Sequence, residues 1–152
     1  MEKYYHYQKG KTPLLILSVP LVVMVLLISR GLSQGRGFQD IWQLAAGSVL
    51  VLAGMVLMSG MKTTVTGGSL TIRIGPVLTG KTIPVSEISG IQETEIPWYS
   101  SGIKKIRGGW LFSVNGSPAL EINLRSGKRF IVGTDDPDGL ARAIEDSIQT
   151  VS

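Results

Sequence analysis

Hydrophobic positions fall into two regimes along this chain. Residues 13–29 (PLLILSVPLVVMVLLIS) and 41–61 (IWQLAAGSVLVLAGMVLMSGM) are uninterrupted apolar runs without an ionisable side chain. From residue 62 onward the runs give way to alternation: Leu70, Ile72 and Ile74 are separated by Thr71 and Arg73, and Leu120, Ile122 and Leu124 by Glu121 and Asn123. A helix rises about 1.5 Å per residue, so about 17–25 apolar residues cross a hydrocarbon layer about 30 Å thick. The pattern predicts two transmembrane helices, at about 13–30 and 41–61, the first lengthened by the snorkelling cations Lys11 and Arg30. Neither run has a polar face, so a soluble core would need a far larger protein around them. The first run also exceeds the roughly 7–15 apolar residues of a cleaved signal peptide.

The connecting segment 30–40 (RGLSQGRGFQD) is a turn, which makes the pair a hairpin with both ends on one side. Lys3, Lys9, Lys11 and Lys62 flank the open end, against Arg30 and Arg36 in the loop; the positive-inside bias puts both termini in the cytoplasm, with the hairpin in the cell (inner) membrane. Residues 1–12 then form a cytoplasmic tail. Its Tyr4, Tyr5 and Tyr7, with Trp42 across the bilayer, suit interfacial aromatic belts. Ala46/Ala53 and Gly47/Gly54 repeat at seven residues and give the second helix a small-residue stripe for close packing, against the first helix, another copy or a partner protein.

In residues 62–152 the alternation predicts seven strands, near 62–66, 70–75, 81–85, 90–96, 109–114, 119–125 and 128–134. Gly67-Gly68, Gly75-Pro76 with Gly80, Asn115-Gly116 and Ser126-Gly127 supply the turn chemistry between them. A helix closes the chain. Asp136 is its cap, Pro137 occupies the first turn, and Leu140, Ile144, Ile148 and Val151 form one apolar stripe that must bury against the sheet. This order implies an α+β domain in which a bent antiparallel sheet is plugged by the C-terminal helix.

That order, with the segment IRGGWLFSVNGSPALEINLRSGKRFIVGTDDPDGLARAI (106–144), resembles the bacterial pleckstrin-homology-like (bPH) domains of small membrane proteins with an N-terminal helical pair. WLFSVNG (110–116) is similar to that family's aromatic-valine hairpin, and Gly133-Thr134-Asp135-Asp136-Pro137 with Leu140 to its strand-to-helix junction. Gly102-Ile103-Lys104 stand where Gly-Ile-Arg is common, and Ser100-Ser101 replace glycines. The resemblance implies a seven-stranded pleckstrin-homology-like barrel over 62–152, with no catalytic or ligand residues to carry over.

Composition narrows the chemistry. Only 17% of the 152 residues are charged, where a soluble domain has about a quarter, consistent with a membrane-embedded portion. The absence of Cys excludes disulfides, thiol catalysis and Cys-ligated metals, and the single His6 argues against a His-based triad or metal site. The carboxylates fall at outward strand positions or in the helix cap, so no catalytic set converges; the expectation is a non-enzymatic protein without a cofactor. Ten Lys/Arg against nine Asp/Glu in 62–152 leave no basic stripe for nucleic acid.

The stretch PWYSSGIKKIRGGW (97–110) reads as a Gly/Ser-rich loop in which Trp98, Tyr99, Lys104, Lys105 and Arg107 suit lipid headgroups or a partner protein. Trp110 shares parity with Phe112 and Val114 and is expected in the core. Arg125, Lys128 and Arg129 make a second cationic spot. With almost no linker after residue 61, the domain is expected to sit against the bilayer as a scaffolding or regulatory module. The alternatives are an accessory subunit docking through Ala46, Gly47, Ala53 and Gly54, and a homo-oligomer joined by sheet edges.

Overall fold

The computed structural model describes residues 4–35, 37–57, 59–75, 80–116 and 118–151; Lys3 and Arg36 of the charge count and Pro76 of the predicted turn lie outside them. Strand β1 (Tyr4–Lys9) is followed by helices α1 (Lys11–Ser33) and α2 (Phe38–Leu57), then by β2 (Gly60–Thr66), β3 (Ser69–Ile74) and β4 (Lys81–Pro84). A 3-10 turn at Val85–Glu87 leads into β5 (Ile88–Thr94), β6 (Gly102–Ile106), β7 (Gly109–Ser113), β8 (Ala119–Leu124), β9 (Arg129–Gly133) and α3 (Pro137–Val151).

The strands form two sheets rather than one bent sheet, in the orders β1-β2-β3-β4 and β5-β8-β9-β7-β6. Among the described residues, eight strands from Gly60 onward stand where seven are expected, and a ninth, β1, precedes the helices. Residues 4–9, read as tail, are the edge strand β1, antiparallel to β2 with Tyr4 opposite Val65 and Lys9 opposite Gly60. Tyr4, His6 and Gln8 alternate inward while Tyr5, Tyr7 and Lys9 are exposed. The aromatic tail therefore belongs to a sheet: Tyr5 lies under the Lys62 ammonium, 4.6 Å from the ring centre. Strand β6, read as loop, pairs antiparallel with β7.

A third difference concerns Asn115-Gly116, whose sequence predicts a hairpin between β7 and β8. Those two strands are not neighbours. Strand β9 returns through the tight Ser126-Gly127 turn and inserts between them, running parallel to β7 with Gly109 opposite Arg129. Gly109 permits this approach, because a Cβ there would overlap the Arg129 carbonyl. The Gly67-Gly68 turn is as expected, with φ of 58° and 72°, the positive values of a two-residue hairpin.

One core fills the space between the sheets. Leu70 and Ile72 from the first sheet, Leu120, Ile122 and Val132 from the second, and Leu140 and Ile144 from α3 are all fully enclosed. Burying such a side chain stabilises by about 1.5–3 kcal/mol, which is why the alternation is decisive. The predicted cap of α3 forms: the Gly139 amide donates to Asp136 Oδ1 at 3.0 Å. Ile148 packs against the core margin as the stripe predicts; the side chain of Val151 lies outside the described set. Strand β1 is clamped to this same helix start. The Tyr4 hydroxyl donates to Asp136 Oδ2 at 3.1 Å, and His6 Nε2 lies 2.5 Å from Asp135 Oδ1.

Helices α1 and α2 pack along each other. Gly47 lies under Met24, Gly54 faces Leu17, and the Ser48 hydroxyl reaches both the Leu44 carbonyl and the Met24 sulfur. Outward side chains such as Leu15, Val19, Leu26, Val49 and Leu50 are exposed. Among the described residues one helix segment, Leu14–Ser33, is long and apolar enough to cross a membrane, and the apolar part of α2, Ile41–Leu57, is shorter. The last two residues of the second run, Gly60 and Met61, are not helix but join β2, where Met61 is buried opposite Ile74.

Two outcomes follow from this packing. Ile144→Ala should lower unfolding free energy by about 2–5 kcal/mol in chemical denaturation, the usual cost of emptying an enclosed aliphatic site. Burial, and then the Asp136 carboxylate, push the Tyr4 phenol up from its ordinary value. A phenol raised in the folded state stabilises fully below its unfolded pKa of about 10 and loses that contribution as pH rises beyond it. Wild type should therefore lose more stability than Tyr4→Phe between about pH 9 and about pH 11, read from paired melting curves.

Candidate functional site

The sheets have two distinct ends. At one end the helical pair leaves the domain: the Gly10 amide donates to the Ser59 carbonyl at 2.8 Å, closing the pair at its base. Asn115 binds the same base from the second sheet. Its Oδ1 accepts from the Lys11 amide and its Nδ2 donates to the Lys9 carbonyl, both at 2.8 Å. Gly75, at φ +63°, sits where a Cβ would overlap the Leu57 carbonyl, so the end of β3 touches the end of α2. Four chain segments thus meet around the hairpin with no linker between helix and sheet.

Segment 95–101 runs across this end of the second sheet, from β5 at one edge to β6 at the other. Ile96 anchors it in a small outer cluster with Leu111 and Ala119. Gly116 lies against the Trp98 backbone, where a Cβ would not fit, which holds Trp98 beside the Asn115 turn. Trp98 and Tyr99 are 67% and 62% exposed and meet edge to face, with centroids 5.8 Å apart. Lys9, Lys11 and Lys62 are exposed at the same end.

The predicted aromatic and cationic cluster does not gather into one patch. Strand β6 carries Lys104 and Lys105, and its four steps of about 3.3 Å separate Gly102, near the hairpin end, from Ile106 by about 13 Å. Lys104 lies exposed on the face opposite to Lys105. Arg107 sits in the turn at the far end, where its carbonyl accepts from Arg129 Nε at 3.0 Å. Trp110 is not in the core. It is 42% exposed, on the same face as buried Phe112 but beyond the reach of the opposing sheet.

A cleft of about 640 Å³ opens at that far end, between β4 and the β6–β7 turn. Ile83, Leu124 and Phe130 form its buried floor and Trp110 a wall, while Lys81, Lys105 and Lys128 stand exposed around it with Glu87. The second predicted cationic spot is likewise divided: Lys128 lines the cleft, Arg129 lies 3.7 Å from Glu121, and Arg125 is exposed. Sequence reasoning had no reason to select Lys81, since only the stacking of the two sheets brings it toward Lys105. Among the described residues no three His, Cys, Asp or Glu side chains converge to hold a metal ion.

Of the small-residue stripe, Gly47 and Gly54 face α1, Ala46 is half-buried and Ala53 is exposed. Compared with protein-family models, with curated proteins and with solved structures, the chain matches none.

Asn115→Ala should cost about 1–3 kcal/mol, because it removes two bonds that tie the second sheet to the hairpin base. Hydrogen exchange at the Lys11 amide should accelerate in that variant, while exchange within β8 stays slow.

Proposed function

We propose that this protein is a two-span, membrane-anchored module of bPH type whose sheet domain is held against the inner membrane, with both termini cytoplasmic, where it contacts lipid headgroups and serves a scaffolding or regulatory role without catalysis. One observation carries the reading: the apolar helical pair is inserted between two directly paired strands, β1 and β2, so the domain has no tether along which to move away from the helices. Whatever surrounds α1 and α2 also meets the Trp98–Tyr99 end. The helical pair beside a two-sheet, helix-plugged domain supports the bPH resemblance, from which the chain departs in the strand β1 that precedes the helices.

The headgroup contact is best assigned to Trp98 and Tyr99, together with Lys9, Lys11 and Lys62. Amphipathic aromatics favour the interface, and each cation near an anionic leaflet contributes about 1 kcal/mol. This replaces the set built on Lys104 and Lys105, which lie farther along β6, and on Arg107 in the turn beyond it. Docking onto a larger complex through Ala46, Gly47, Ala53 and Gly54 draws less support, because both glycines already face α1.

The test uses the full chain with Trp42→Phe and Trp110→Phe, leaving Trp98 as the sole indole, reconstituted in vesicles of anionic lipid brominated high on the acyl chain. Trp98 emission should be quenched relative to unbrominated vesicles and shielded from aqueous iodide. Full iodide access with no bromine quenching would remove the lipid contact.

A further inference from the structure

We propose that the cleft between β4 and the β6–β7 turn is a binding site for a small aromatic phosphate, of nucleotide size, taken from the aqueous phase. The cleft lies at the end of the sheets away from the helical pair. Pro84 is level with Ser69 and Thr66 at the far end of β2, about 20 Å from Gly60. Lys81, level with Ile72 and Thr63, is about 10 Å from Gly60, so the cleft opens to water beyond the base of the helical pair. Its volume is about 640 Å³, within the range of small-molecule sites, and it is open to solvent on one side.

The lining defines the ligand class. Lys105 is directly opposite Trp110 across the β6–β7 pair, which puts an ammonium and an indole on one face at one position. Lys81 comes from the other sheet and Lys128 from the β8–β9 turn, so three chain segments bring cations to one opening; among the described lining residues Glu87 is the single carboxylate. Lysine is a compact point charge suited to phosphate. The buried aliphatic and aromatic floor, with the exposed Trp110 ring, has no use for an ion alone and suits a flat apolar body. A ligand carrying both a dianionic phosphate and a planar ring satisfies both halves.

Trp110 provides the readout. In the full chain with Trp42→Phe and Trp98→Phe, excitation of the remaining indole should show saturable quenching by adenosine monophosphate. Adenosine, which lacks the phosphate, and inorganic phosphate, which lacks the ring, should each bind more weakly by about tenfold or more. Lys105→Glu with Lys128→Glu should weaken the nucleotide by more than about tenfold, as expected for losing charge-assisted contacts, with an unchanged far-ultraviolet circular dichroism spectrum. Quenching that never saturates at millimolar nucleotide, equal binding of adenosine, or affinity unaffected by the double charge reversal would each overturn the assignment.

Discussion

Pairing between β1 and β2 fixes the rest of this molecule, because the two strands are neighbours in space while the entire helical hairpin lies between them in sequence. Adjacent antiparallel strands run about 5 Å apart. The hairpin must therefore start and end within that distance, and short bonds at Gly10, Ser59 and Asn115 hold it there. Both helices leave the domain from one end, and the second sheet is bound to that base through the Asn115 turn. The positions of the exposed aromatics and of the cleft are consequences of this one closure.

The same closure divides the surface into two ends with different chemistry. The end carrying Trp98 and Tyr99 is decorated by exposed lysines from β1, α1 and β2, and shares its surroundings with the helices. The far end carries the β6–β7 and β8–β9 turns and a cleft with an apolar floor. A single sequence stretch, 97–110, contributes to both, since β6 runs from one to the other. Two surfaces that look like one motif in the sequence are thus separated by the length of a strand.

Much of the core was legible beforehand. Leu70, Ile72 and Ile74, and Leu120, Ile122 and Leu124, alternate cleanly because one face of each strand is enclosed, and the Asp136 cap and the helical stripe from Leu140 follow local rules. What escaped reading lacked such signals. Strand β1 turns His6 and Gln8 inward, so its alternation is polar and looks like a tail. Strand β6, as an edge strand, exposes Ile103, Lys104 and Lys105 in succession and shows no period at all. Asn115-Gly116 has the composition of a hairpin turn, and only the insertion of β9 beside β7 denies it that role. The cleft was illegible for a different reason: Lys81, Lys105 and Lys128 are distant in sequence and converge through sheet stacking, which no local pattern encodes.

The strand order also imposes a schedule on assembly. Ribosomes deliver β1 first, and its partner β2 follows only after about fifty further residues that make up the hairpin. Until then the first strand has no edge to join, and His6 and Tyr4 have no α3 to meet, since that helix follows β9. The nascent domain stays open while both helices are made and shuts only when the returning chain comes to lie beside its own beginning. A helical pair that failed to fold back on itself would keep the two strands apart, and the first sheet would be left without its edge strand.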